Sequence, residues 1–181
     1  MVKHIFRYLK FTHEFGLWYS ADSSFVLVGF SDADFGMCRL DSKSISGTCN
    51  FLGTSLVSWS SRKQAIVALS STEAEYVAAA SCCSQILWMK QILQDYGLSF
   101  GRVHIFVDNM SSICITKNPV LHSRTKHIDI RFHFLLDNHE RGHIDMAHVP
   151  SERQTADILT NPLEQDTFAR LRGELGVYYP I

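Results

Sequence analysis

In the ten-residue stretch Phe25-Val26-Leu27-Val28-Gly29-Phe30-Ser31-Asp32-Ala33-Asp34, an apolar run ends on two carboxylates. Its β-branched and aromatic residues predict a strand over residues 25–30. A second apolar run, residues 103–107, ends in the same way on Asp108. Carboxylates that end neighbouring strands can converge on one point, so this pattern predicts an acidic site at one edge of a sheet.

Hydrophobic periodicity, turn residues and capping signals predict the other elements. After an N-terminal helix, their order is β-β-β-α-β-α-α-β-α-α. We expect helices over residues 2–11, 70–96, 124–140, 151–159 and 162–176, a short helix before Asn118-Pro119, and further strands over 48–52, 56–60 and 144–149.

Composition limits the possible classes of protein. The chain has 181 residues, 46% of them apolar and 19% charged, which is typical of a folded domain. Its formal net charge of −1 excludes a generally basic nucleic-acid coat. No apolar run reaches the ~20 residues of a membrane span, and no secretory signal is recognisable. We therefore expect a cytoplasmic protein without membrane association.

Carboxylates at the ends of elements predict a metal site. A cluster of such groups repels itself unless divalent cations fill it, and hard oxygen ligands suit Mg²⁺ or Mn²⁺. Helical spacing alone does not choose between Glu73 and Glu75 at the start of the long helix. The candidates are Asp32, Asp34, Glu73, Glu75, Asp108 and Asp157.

Ordered motifs along nearly the whole chain resemble the ribonuclease H domain of copia-type LTR retrotransposons. They lie at residues 30–36, 42–47, 58–64, 68–76, 107–109, 117–131, 149–152 and 156–160. The resemblance implies an α/β, ribonuclease H-like fold: a five-stranded mixed sheet, with three antiparallel and then two parallel strands, and helices on both faces.

The resemblance also implies a site of four carboxylates that bind two Mg²⁺ ions, with Mn²⁺ as a substitute. By motif position the catalytic and metal-binding residues are Asp32, Glu73, Asp108 and Asp157. The family pattern thus favours Glu73 over Glu75 and Asp32 over Asp34.

The implied function is an endonuclease that cleaves the RNA strand of RNA–DNA hybrids during reverse transcription, next to a reverse transcriptase domain in the same Pol polyprotein. Residues 1–24 resemble the tail of the reverse transcriptase region, which favours a fragment of a longer chain. Residues 25–161 would form the ribonuclease H domain, and 162–181 a C-terminal helix and tail. The expected location is the cytoplasm, and the retrotransposon context suggests virus-like particles. The alternative is an inactive nucleic-acid-binding or structural remnant of the same domain.

Related cellular and retroviral enzymes carry a histidine on the loop before the last aspartate. Here Glu152 stands about where it would be, and His148 comes a few residues early. Basic, aromatic and hydrogen-bonding residues near the motifs are the candidates for hybrid binding: Trp59, Arg62, Lys63, Ser71, Thr72, Asn109, Arg124, Lys126, His127 and Arg131.

One further pattern, His139-Glu140-Arg141-Gly142-His143, matches the H-E-x-x-H motif of zinc proteases. That motif needs both histidines on one helical face. Gly142 and the alternating sequence after it predict a helix end instead.

Overall fold

The protein is described by a computed structural model that covers residues 2–21, 24–36, 38, 40–117 and 129–179, with the backbone alone for 129–132. Its α-helices are α1 (Val2–Thr12), α2 (Ser71–Asp95), α3 (Met110–Lys117), α4 (Asp129–Glu140) and α5 (Gln165–Glu174). Its strands are β1 (Gly16–Leu17), β2 (Leu27–Asp34), β3 (Ile45–Leu52), β4 (Ser55–Lys63), β5 (Val103–Val107), β6 (Ile144–His148) and β7 (Val177–Tyr178). Two short 3₁₀ helices, Ser151–Arg153 and Thr155–Leu159, replace the single helix expected there.

The central sheet has five strands within the described ranges, in the order β4-β3-β2-β5-β6. β3 is antiparallel to both β2 and β4, whereas β5 is parallel to both β2 and β6. This mixed sheet confirms the predicted fold class. It also places the ends of β2 and β5 at one edge, because parallel neighbours finish on the same side.

Helix α2 begins where the capping signature predicts. The Ser70 side chain accepts a hydrogen bond from the backbone N–H of Glu73, so Ser70 is the N-cap. The helix lies close against β2 at Gly29, where a Cβ atom would come within 2.7 Å of both Cys82 Sγ and Ile86 Cδ1. This close approach brings the first turns of α2 to the carboxyl end of β2.

Each face of the sheet has its own core. One face packs under α2, α3 and α4, with Ile105, Ile86 and Leu135 fully buried. The opposite face packs under the second 3₁₀ helix and the end of α5, around Phe51 and Ala156. Covering elements on both faces also agree with the expected architecture.

The two ends of the described chain meet. β1 pairs antiparallel with β7, Tyr8 packs edge-on against Phe168, and the Arg172 guanidinium lies 4.3 Å from the Phe15 ring centroid. The division at residues 24 and 161 stays a prediction; in the structure the first and last segments contact each other directly.

The length and apolarity needed to cross a bilayer do not occur together in any helix of the described residues.

Candidate metal centre

Three carboxylates converge at the edge where β2 and β5 end. Asp32 lies near the end of β2, Glu75 lies in the second turn of α2, and Asp108 directly follows β5. Each offers one oxygen, and these atoms all lie within 4.8 Å of one another. Asp32 and Glu75 are buried and Asp108 is half-buried, so the cluster opens toward solvent on the Asp108 side.

The structure places Glu75, not Glu73, in this cluster. Glu73 Oε2 accepts a hydrogen bond from the backbone N–H of Leu69, the residue before the N-cap, at 2.8 Å, so its carboxylate fixes the chain at the start of α2. Glu75 Oε1 accepts from the backbone N–H of Ala33 at 3.1 Å, which ties the helix to the end of β2. The three-carboxylate cluster therefore contains Glu75, whereas Glu73, which the family pattern favours, has a carboxylate oxygen bonded at the start of α2.

Burial and mutual repulsion shape the electrostatics of the cluster. Burial, reinforced by the charges of Asp32 and Asp108, raises the pKa of Glu75 to about 9, although the N–H of Ala33 opposes the shift. Burial also raises the pKa of Asp32 to about 6; the hydrogen bond from Thr160 opposes this, and the charges of Asp108 and Asp157 add to it. Without a cation, the cluster is most stable when partly protonated.

Side chains from residues 151–161 hold the aspartates. The Thr160 hydroxyl donates to Asp32 Oδ2, the Ser151 hydroxyl donates to Asp108 Oδ2 at 2.8 Å, and the Asn161 amide donates to Asp157 Oδ1. Asp157 lies outside the three-oxygen group but close enough for its charge to raise the pKa of both Asp32 and Glu75. The segment that lacks the loop histidine thus supplies Ser151 to the site instead.

This segment reaches Asp32 because residue 47 has no side chain. A Cβ atom at Gly47 would lie 2.7 Å from Thr160 Cγ2 and 2.8 Å from the backbone oxygen of Ala156. Gly47 is the partner of Asp32 in the β2–β3 register, so the second 3₁₀ helix sits directly over the cluster strand.

Gly47→Ala should therefore destabilise the domain by about 1–3 kcal/mol, the usual cost of overpacking, since backbone at Ala156 must move. The measurement is urea unfolding of both proteins. Gly101→Ala is the matched control, because a Cβ atom at Gly101 has no neighbour within 4 Å. Equal stability of the parent and Gly47→Ala would show that the close approach of the second 3₁₀ helix to residue 47 does not require glycine.

The candidates for hybrid binding lie in different surroundings. Trp59 and Arg62 are exposed on the edge strand β4. Lys63 is instead paired with Asp41, its Nζ 3.0 Å from Asp41 Oδ2. Asn109 Oδ1 accepts from the N–H of Ser112 at 3.1 Å and so caps α3.

The remaining candidates are less informative. Ser71 and Thr72 lie in the first turn of α2. Arg124, Lys126 and His127 lie outside the described residues, and Arg131 is placed only as part of α4.

A helix end separates the two histidines of the zinc-protease pattern, as predicted. α4 ends at Glu140, and His143 lies beyond it, before β6. The His139 ring nitrogen Nε2 lies 3.1 Å from Asp145 Oδ1.

The donor set of the cluster fits hard divalent cations. All three ligand atoms are carboxylate oxygens, which Mg²⁺ and Mn²⁺ prefer. Glu75 Oε2 is buried and has no hydrogen-bond partner among the described residues, so one oxygen is left for a cation.

The sheet order and the acidic edge define a ribonuclease H-like fold. Solved structures of this class align with most of the chain. The N-terminal RNase H domain of rv2228c from Mycobacterium tuberculosis gives a TM-score of 0.58 at 13% identity, covering 83% of this chain and 98% of that one. LC11-RNase H1, isolated from compost, gives 0.53 at 17% identity, covering 81% and 97%.

The relatives found by sequence are Pol polyproteins from transposons. The chain is 37% identical, over 97% of its length, to the retrovirus-related Pol polyprotein from transposon RE1 of Arabidopsis thaliana. It is 33% identical, over 98% of its length, to that from transposon TNT 1-94 of Nicotiana tabacum. The chain spans only 12% and 13% of the length of these polyproteins. No protein-family model matches it.

Proposed function

We propose that this chain is a ribonuclease H: an endonuclease that hydrolyses the RNA strand of RNA–DNA hybrids with two divalent cations, in the reverse transcription of a retrotransposon. The observation that carries the proposal is the convergence of Asp32, Glu75 and Asp108, with one Glu75 oxygen buried and unpartnered within the described residues. Its relatives are Pol polyproteins, and a solved RNase H1 of the same fold, with a TM-score of 0.50, is in complex with an RNA/DNA hybrid.

In this proposal, some residues of the site bind the cations and others hold the carboxylates in place. Asp32, Glu75 and Asp108 would hold the cations, with Asp157 nearby as a further ligand. Bound Mg²⁺ supplies Lewis-acid activation of water and neutralises charge on the leaving oxygen. Thr160, Ser151 and the Ala33 N–H fix the carboxylates before a cation arrives, so little reorganisation is needed.

The biological setting belongs to the same proposal. The domain would remove template RNA beside a reverse transcriptase domain of the same polyprotein, in virus-like particles of the cytoplasm. Mn²⁺ should substitute for Mg²⁺, because it takes the same oxygen ligands.

The test is cleavage of a hybrid labelled on the RNA strand, in Mg²⁺ and in EDTA, with single-stranded RNA and duplex DNA of the same sequence as controls. We expect cleavage of the hybrid RNA alone, dependent on Mg²⁺, with 5′-phosphate and 3′-hydroxyl ends. Hybrid binding without cleavage would contradict this function and indicate an inactive remnant.

A further inference from the structure

The turn that follows the second 3₁₀ helix carries a carboxylate next to the metal centre together with two residues that donate hydrogen bonds. Thr160 and Asn161 each donate a backbone N–H to the carbonyl oxygen of Asp157, at 3.1 and 3.0 Å. Thr160 is buried, with an exposure of 6%, and its methyl group lies against Gly47. The position of Thr160 is therefore fixed through both its backbone and its side chain.

The side chains of this turn link two aspartates by hydrogen bonds. The Asn161 amide has two N–H donors, and it lies within reach of both Asp157 Oδ1 and, at 3.3 Å, Thr160 Oγ1. The Thr160 hydroxyl has one proton to donate, and the carboxylate of Asp32 is a stronger acceptor than the backbone oxygen of Asp157, which lies 3.1 Å away. The bonds therefore connect Asp157 to Asp32 through Asn161 and Thr160.

This chain of bonds opposes the repulsion between the two carboxylates. The charge of Asp157 acts on Asp32, and like charges disfavour each other at short range. A hydroxyl that accepts a hydrogen bond becomes a better donor, because bonds in a chain polarise one another. The Asn161 amide therefore strengthens the bond from Thr160 to Asp32, and loss of either donor should loosen both carboxylates.

We propose that Thr160 and Asn161 are positioning residues that hold Asp32 and Asp157 as one unit for cation binding. Neither side chain is assigned a contact with a cation or with substrate; each acts through the carboxylate that it holds. The inference rests on the proposed function, because it takes both carboxylates as ligands of the catalytic cations. Loss of a hydrogen-bond partner of a metal ligand typically lowers metal affinity by roughly 10- to 100-fold.

The first experiment titrates Mn²⁺ into the full chain without nucleic acid and measures free Mn²⁺ by electron paramagnetic resonance. Thr160→Val keeps the methyl group near Gly47 and removes the hydroxyl, so it should weaken Mn²⁺ binding by roughly tenfold or more. Thr160→Ser keeps the hydroxyl and should bind within a few-fold of the parent. Parent-like binding by Thr160→Val overturns the proposal. Equal losses in Thr160→Val and Thr160→Ser also overturn it, because the shape of the side chain would then be responsible.

Thr116→Val is the matched control, since Thr116 is a buried threonine whose hydroxyl donates to the backbone oxygen of Ser112 at 3.0 Å. Thr116 lies near the end of α3, whereas Asp108 lies before the start of that helix. The control should lower the melting temperature in EDTA without changing Mn²⁺ affinity. An equal loss of Mn²⁺ affinity in Thr116→Val and Thr160→Val would indicate a general loss of packing and would overturn the proposal.

The second experiment tests whether the two residues act as one unit. Asn161→Ala removes the amide at a half-buried position and should by itself weaken Mn²⁺ binding several-fold. In the double variant, Thr160→Val with Asn161→Ala, the two fold-losses should not multiply, because a chain broken at one bond has little more to lose at the next. Losses that multiply, or parent-like binding by Asn161→Ala, overturn the proposal. If melting curves show that Thr160→Val does not fold, Asn161→Ala decides the question alone.

The same titrations separate this inference from the proposed function. A parent that binds Mn²⁺, with the expected losses in the variants, yet leaves the hybrid uncut would remove the proposed function and keep the assignment of Thr160 and Asn161. A parent that cleaves the hybrid while the variants bind Mn²⁺ as the parent does would keep the function and remove the assignment. A parent that binds no Mn²⁺ would remove both.

Discussion

Glu75→Gln should abolish cleavage of the RNA strand, whereas Glu73→Gln should cleave at close to the parent rate. Glutamine at position 75 keeps the hydrogen bond from Ala33 but removes the charge that a cation needs. A loss of about 4 kcal/mol in transition-state stabilisation slows a reaction about a thousandfold. Glutamine at position 73 can still accept from Leu69 N–H, since its amide oxygen is an acceptor like the carboxylate oxygen.

The two variants are matched controls for each other, because each exchanges one Glu for Gln within two residues of the same helix. Rates are measured with saturating Mg²⁺ and hybrid. The reverse result, an inactive Glu73→Gln and an active Glu75→Gln, would restore the assignment by family pattern. Asp32→Asn and Asp108→Asn should also lose cleavage because both belong to the oxygen cluster. Asp157→Asn should lose it as well, because the charge of Asp157 acts on Asp32 and Glu75, whereas Asp34→Asn should be much milder because Asp34 is neither in the cluster nor among the charges that shift it.

The metal-free domain should lose stability as the pH rises from about 4 to about 9. The pKa of Asp32 in the folded state is raised to about 6 and that of Glu75 to about 9, each above its ordinary value. The folded protein therefore holds protons that the unfolded chain releases, so the stabilisation is complete below the unfolded pKa values and disappears as the pH passes the folded ones. The slope is on the order of 1 kcal/mol per pH unit for each titrating carboxyl.

Melting curves in EDTA at several pH values check this. The Glu75→Gln variant has no ionisable group at position 75. Its melting temperature should therefore fall less as the pH rises, and should exceed that of the parent at pH 8. Mg²⁺ should raise the melting temperature of the parent more than that of the variant, because a cation that binds only the folded state stabilises it. A parent and variant with parallel curves in EDTA and equal shifts in Mg²⁺ would show that Glu75 does not belong to a repelling cluster.

Much of the fold follows from local sequence signals. Residues 103–107 are apolar on every residue but one and form β5 over the predicted range. Ser70 and Glu73 begin α2 where the capping box indicates. The two-residue strands β1 and β7 were not expected, because a pairing of Gly16 with Tyr178 depends on contacts between distant parts of the chain and leaves no periodic pattern.

The roles of individual site residues could not be predicted from local sequence patterns. Spacing left Glu73 and Glu75 equivalent, since both lie in the first two turns of one helix; only the path of the chain around Ser70 assigns one carboxylate to the cap and the other to the cluster. Thr160 and Ser151 belong to the quoted motifs, but no local signal marks their hydroxyls as donors to Asp32 and Asp108. Such roles arise from tertiary contacts between residues that are distant in sequence, 43 positions apart for Asp108 and Ser151 and 128 for Asp32 and Thr160.

The short β1–β7 ladder has a mechanical consequence. Gly16 lies opposite Tyr178, so tension applied to the two flanks of the domain would pull on the same end of an antiparallel pair and open it like a zipper, one hydrogen bond after another. The central sheet does not share that loading geometry, since β2 lies inside the domain between β3, with which it forms eight residue pairs, and β5, with which it forms three. In a longer chain under strain, α1 would detach first, and the carboxylate edge would remain assembled.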